Sequence, residues 1–211
     1  GDHSNIPETM SLSPGETDFE WCLSNPSSGY PKFEGGLFIS FFSDSIILLL
    51  HQRDYVLSNP TRIITDSLFY SSVQRDGDQY VLHEKTVPIV GDNLTDGNVE
   101  AVKASKPGAW WVIQGEKNPN RYVSILLDSA RVDTVFAQAI GDTTYWGSAS
   151  GQAVFSPDGS MYARYNFKDD LSLFDFGRET GMLSNFRKMH VADSGNIGGL
   201  AFSPNGRFLY A

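Results

Sequence analysis

The chain has 211 residues, of which 40% are hydrophobic, 13% aromatic and 19% charged, enough apolar content to bury one substantial core. Its 25 acidic residues against 16 basic ones leave a net charge of −9, and the basic residues do not cluster, which argues against nucleic acid as a partner. No apolar run approaches the roughly 18 residues of a membrane-spanning helix, so no membrane span is expected.

Residues 1–35 are rich in Ser, Pro, Asn and Gly and read as an irregular N-terminal arm with one strand around Phe19–Leu23. The arm carries Cys22, the only cysteine, so neither an internal disulfide nor a Cys-based metal site is available. Strand-sized apolar runs then begin. Leu37–Phe42, Ile46–Leu50, Ser67–Val73 and Tyr80–Ile89 form a first set, with a turn at Ser43-Asp44-Ser45 and a hairpin turn at Asp76-Gly77-Asp78. Val99–Ala104, Ala109–Gln114, Tyr122–Leu127 and Val132–Ile140 form a second, turning at Lys106-Pro107-Gly108.

The third set shows the period. Residues 151–163 read GQAVFSPDGSMYA and residues 198–211 read GGLAFSPNGRFLYA, which places Phe155 and Phe202 at equivalent positions 47 residues apart. That spacing suits one blade of a β-propeller. Ser-Pro-Asp-Gly is turn chemistry: Pro presets φ at the second position and Gly supplies a positive φ where one is needed. After this hairpin, Leu171–Phe176 and Met182–Val191 supply two more strands. The expected fold is therefore all-β, built of four-stranded antiparallel blades at 36–90, 98–140 and 151–191. A partial blade follows at 198–211, as in a fragment of a larger propeller or a small closed ring. Further blades of a longer chain, or a second copy, would complete it.

The motif resembles tryptophan–aspartate-like and surface-layer-type propeller repeats. From about Leu68 to Ala211 the chain is similar to secreted propeller proteins of the Bacteroidetes, often linked to type IX secretion sorting domains. The likeness rests on VKASKPGAWWVI, IGDTTYWGSASGQAVFSPDGSMYARYN, LSLFDFGRETGMLSN and GGLAFSPNGRFLYA. It implies a propeller fold and an extracellular or cell-surface setting, and it transfers no catalytic residue.

Val90-Gly91-Asp92, Ile140-Gly141-Asp142 and Val191-Ala192-Asp193 recur about 50 residues apart, each expected at a crossing into the next blade. Two roles fit Asp92, Asp142 and Asp193: holding their own turns, or presenting carboxylates to a hard cation such as Ca²⁺. No resident cofactor is otherwise expected. Tyr145 and Trp146 in the loop after Gly141, with Asn118 and Asn120, are suited to stacking on and hydrogen-bonding a glycan or a protein partner. Trp110 and Trp111 are adjacent in a strand and point opposite ways. The four histidines, His3, His51, His83 and His190, are scattered with no pair at ligand spacing.

Two functions are open. The first is a non-catalytic extracellular binding or scaffold module; the absence of any recognisable nucleophile, metal or phosphate motif favours this non-enzyme reading. The alternative is a propeller enzyme of lactonase or lyase type using a metal or a His-Asp site. Catalytic groups in a repeat protein are expected once, not once per blade.

Overall fold

A computed structural model describes residues 36–42, 44–58, 61–117, 120–142, 151–166, 170–191 and 198–211, with the backbone alone at 54–58, 61–64, 92 and 93. No helix occurs among them. The chain divides into two compact units, Gly1–Leu94 and Thr95–Ala211.

The first unit holds blade I, a four-stranded antiparallel meander of β1 (Gly36–Phe41), β2 (Ile46–Ser58), β3 (Thr61–Asp76) and β4 (Gln79–Leu94). The alternation that marks half-buried strands is visible in β1, where Ile39 and Phe41 are buried and Phe38 is exposed. The last three strands run longer than their apolar cores suggest. The β2–β3 ladder continues past a register shift between Arg53 and Asp54 to Ser58↔Thr61, so the polar residues 51–58 and 61–65 lie in paired strand. β4 likewise runs through Val90-Gly91-Asp92, with Gly91 opposite Ser67. Asp92 therefore sits within a strand and not at the crossing expected for it.

The second unit begins with blade II: β5 (Glu100–Lys103), β6 (Trp110–Gly115), β7 (Arg121–Asp128) and β8 (Arg131–Ala139). Blade III follows with β9 (Gly151–Phe155), β10 (Met161–Asn166), β11 (Asp170–Gly177) and β12 (Met182–Met189). A two-stranded ladder of β13 (Ala201–Phe202) and β14 (Leu209–Tyr210) ends the chain. The first strands of successive sheets lie side by side, β5 against β9 and β9 against β13, as the innermost strands of propeller blades do. The fold is thus all-β and propeller-like, as the repeat implies. Phe155 pairs with Tyr162 and Phe202 with Leu209, the same place in two copies of one hairpin.

The core of this unit forms where blade II faces blade III. Trp111, Ile113 and Tyr122 pack against Tyr162, Phe174, Phe176 and Leu183, with Phe136, Phe155 and Phe186 around them. Several rings meet edge to face, among them Tyr122 with Phe174 at 5.3 Å and Trp111 with Phe136 at 6.0 Å, the arrangement their quadrupoles favour. Burying each such side chain contributes roughly 1.5–3 kcal/mol. Trp110, the neighbour of Trp111, points the other way and lies under the Lys103 ammonium.

The Ser-Pro-Asp-Gly turn is closed twice over. Ser156 N–H donates to Met161 O at 2.9 Å, while Met161 N–H donates back to Ser156 Oγ at 2.9 Å. Asp158 Oδ1 accepts from Ser156 Oγ and from Ser160 N–H. The hydroxyl hydrogen bond from Ser156, then the Ser160 amide, pull the Asp158 carboxyl down to about 2. Ser203 and Asn205 repeat the same bonds in the next hairpin. In blade II, Ala104 stands at the Ser156 place: the backbone bond to Ala109 O is kept and the hydroxyl is absent.

Candidate active site

Arg178 fixes which strand ends face the same way in the second unit. It lies in the turn between β11 and β12, and its guanidinium donates to Lys103 O at 2.8 Å, Ala104 O at 3.3 Å and Asp158 O at 3.1 Å. Its own carbonyl accepts from Ser105 N–H and from Trp111 Nε1–H. The Lys-Pro-Gly turn of blade II and the Ser-Pro-Asp-Gly turn of blade III are therefore at one end of their blades. The opposite end is where β5 and β9 start and β10 finishes.

At that opposite end blade III carries a row of residues that meet across its strands. Gly151 on β9 is opposite Asn166 on β10, and Asn166 is opposite Asp170 on β11. Leu171 pairs with Met189, which brings Asp170 level with His190 just past the end of β12. Residues opposite one another in a ladder point to the same face of the sheet, and so does Arg164, two residues before Asn166. The row thus assembles a buried guanidinium, a buried amide, a carboxylate and an imidazole on one face at one end of one blade.

The His190–Asp170 contact is direct. His190 Nδ1 lies 3.1 Å from Asp170 Oδ1 and 3.2 Å from Oδ2, and Val191 N–H donates to Oδ1 at 3.2 Å. An ionised carboxylate only accepts, so Nδ1 carries a proton in this contact, and in the neutral imidazole Nε2 is then the acceptor. The imidazole is 79% exposed, so that Nε2 can meet a substrate or water. Partial burial pushes the Asp170 carboxyl up, but hydrogen bonds from His190 and Val191 and the nearby Lys188 charge outweigh it, and the group stays below the usual carboxylate range. Asp170 has a φ of +60°, a left-handed conformation that Asp tolerates.

The residues singled out from sequence fall elsewhere. Tyr145, Trp146, Asn118 and Asp193 lie outside the described residues. Asn120 has a φ of +51° and accepts from Ile140 N–H through its backbone carbonyl at 2.7 Å, a turn role. Asp142 makes a surface ion pair with Lys188 at 3.1 Å. Among the described residues no three His, Cys, Asp or Glu side chains gather to hold a metal. The reading of His190 as isolated missed its partner. The signal was present: treating Leu171–Phe176 and Met182–Val191 as one hairpin sets position 170 opposite position 190.

No known protein family matches the chain, and no curated protein does. Among solved structures the chain is similar to a "putative 6-phosphogluconolactonase" from Bacteroides fragilis, at 13% identity and a TM-score of 0.43, covering 83% of this chain and 59% of that one. It is likewise similar to a "putative 6-phosphogluconolactonase" from Bacteroides uniformis, at 13% identity and a TM-score of 0.45, covering 83% of this chain and 60% of that one. The chain spans about 60% of the length of these structures. The expectation of a non-enzyme is corrected by these descriptions, since both solved structures are described as putative 6-phosphogluconolactonases.

Proposed function

We propose that the chain forms part of a propeller enzyme of lactonase type, with His190 as general base and Asp170 as the group that orients it. The observation that supports this reading is the Nδ1 contact to Asp170, which leaves Nε2 of an exposed imidazole as an acceptor. Of the classes the sequence left open, lactone opening asks least of the protein, because a lactone is a reactive ring ester that water attacks without a covalent enzyme intermediate.

The chemistry follows from the pair. Nε2 takes a proton from water while the water oxygen bonds to the lactone carbonyl carbon, and the carbonyl oxygen gains negative charge. The buried Arg164 cation on the same sheet face stabilises that charge through low-dielectric surroundings. The ring C–O bond then breaks, and the departing alkoxide takes the proton back from the imidazolium. The product is the open hydroxy acid, and His190 is neutral again. Asp170 holds the imidazole in the one tautomer that can do this and steadies the transient imidazolium.

The test is hydrolysis of glucono-δ-lactone by the purified chain, followed by pH-stat against the spontaneous rate. Turnover above background that falls by about 10²-fold or more in His190→Ala, with an unchanged melting temperature, supports the reading. Turnover equal to background, or unaffected by His190→Ala, overturns it.

A further inference from the structure

The two Ser-Pro turns of the second unit are copies of one another and differ at one residue that carries chemistry. Asp158 in blade III is matched by Asn205 in the terminal hairpin, and each side chain holds its turn in the same way. Asn205 Oδ1 accepts from Ser203 Oγ at 2.8 Å and from Arg207 N–H at 3.2 Å, as Asp158 Oδ1 accepts from Ser156 Oγ and Ser160 N–H. Their surroundings differ. The blade III turn is covered: Gly159 is buried, and Arg178 donates to Asp158 O. In the terminal turn Asn205 is exposed, and a Cβ on Gly206 would meet only Pro157 Cδ, at 4.0 Å. That turn closes a short ladder, Ala201↔Tyr210 and Phe202↔Leu209, and a ladder so short opens readily.

Asn205 is the only asparagine in the chain that is followed by glycine. In that arrangement no Cβ on the second residue shields the backbone nitrogen from the side-chain amide. We propose that Asn205 is a modification site that loses its amide spontaneously, at a rate set by opening of its turn. The Gly206 nitrogen gives up its proton to solvent base and bonds to Asn205 Cγ. The Cγ–Nδ2 bond breaks, and ammonia leaves. Water then adds to one carbonyl of the resulting five-membered imide. Breaking the bond from nitrogen to Cγ gives aspartate; breaking the bond from nitrogen to the main-chain carbonyl gives isoaspartate, with the chain routed through Cγ. The closed turn opposes the first step, because Gly206 N–H donates to Ser203 O at 2.8 Å and the nitrogen is withheld from Cγ. The aspartate product has its precedent in the same molecule, where the Asp158 carboxylate accepts from the equivalent donors. Isoaspartate lengthens the main chain by one carbon and puts the Ser203–Gly206 bond out of register. The site is independent of the lactone reading.

Peptide mapping by mass spectrometry tests this on the purified chain, aged in mildly alkaline buffer beside a matched sample in urea. In the folded chain the acid should appear at Asn205 before any other asparagine, and about tenfold or more slowly than in urea. Ser203→Ala removes the hydroxyl that bonds Asn205 Oδ1 and Phe208 N–H. It should speed conversion in the folded chain several-fold and leave the rate in urea unchanged. Conversion of another asparagine first in the folded chain overturns the proposal, as does an Asn205 amide that persists there throughout. Equal rates in the folded and urea samples, or a folded rate that Ser203→Ala leaves unchanged, also overturn it, because the turn would then not govern the reaction.

Discussion

Blades II and III are two copies of one meander, and the same register position serves different ends in each. Gln114 and Asn166 occupy equivalent places near the end of the second strand, four residues after Trp110 and Tyr162. Across from Gln114 stands Val123, and across from Val123 stands Ala137. Across from Asn166 stands Asp170, and beside it His190. The repeat thus builds the same scaffold twice and places titratable chemistry on one copy. That is what a single reaction centre on a repeated fold requires: the geometry is shared, and the reacting groups need to appear once.

The sharpest way to break this comparison is to strip each row in turn. Asp170→Asn should lower lactone turnover by about 10- to 100-fold with little change in stability, since it replaces an accept-only carboxylate with an amide that can also donate and so no longer fixes the His190 tautomer on a surface-exposed pair. Gln114→Leu should do the reverse. It removes a buried amide bonded to three oxygens, although Gly115 O keeps the Thr95 N–H and Thr95 Oγ1 as donors, and should cost about 1–2 kcal/mol in urea denaturation while leaving turnover per folded molecule intact. Equal kinetic effects of the two variants would erase the distinction between the blades.

The turns sharpen it further. Gly159 and Gly108 supply the positive φ in the first hairpin turn of their blades, at +72° and +79°, one place apart in register. A Cβ on Gly159 would lie 2.6 Å from Val102 Cγ2 and 2.9 Å from Arg178 Cδ, whereas one on Gly108 would meet nothing within 4 Å. Gly159→Ala should therefore cost about 3 kcal/mol, from backbone strain plus overpacking, and Gly108→Ala about 1 kcal/mol from strain alone. Matching losses would mean that the contacts around Gly159 yield freely.

A smaller difference should appear in acid. Asp158 is lowered to about 2 in the folded chain, so the unfolded chain binds its proton more readily. Its contribution is present above the ordinary carboxylate value and is lost as pH falls through about 2. Ser156→Ala converts this turn to the Ala104 type of blade II. It should cost about 1 kcal/mol near pH 7 and flatten the acid end of the stability profile, as read by thermal melts between pH 2 and 5.

Strand pairing was legible wherever the chain repeats itself. The eight strands of blades II and III follow from apolar alternation and from the Ser-Pro-Asp-Gly and Lys-Pro-Gly turns, and their ends fall within one or two residues of the structure. Blade I was less legible, because the β2–β3 ladder continues through residues 51–58 and 61–65, where His51, Gln52 and Arg53, with Asp66 at the register shift, break the apolar pattern. Some of those polar residues are accommodated by local pairing: Arg53 donates to both carboxylate oxygens of Asp66, and His51 stacks on Phe69. Periodicity cannot show such compensation. The site was hidden for a related reason. Composition and spacing along the chain find ligands that are close in sequence, whereas His190 and Asp170 are 20 residues apart and meet through hairpin register. The left-handed backbone at Asp170 has no sequence signal beyond the tolerance of Asp for that conformation.

The Arg178 guanidinium has a consequence for how the second unit comes apart. Three carbonyls from two blades, at Lys103, Ala104 and Asp158, depend on one cation held by the β11–β12 turn, and the Ser105 amide depends on that turn's carbonyl. Neither hairpin can fray at this end without releasing the other. Amide hydrogens beside these turns should consequently exchange with solvent at a common rate set by joint opening of both blades, so that blades II and III behave as one cooperative folding unit in spite of their repeated design.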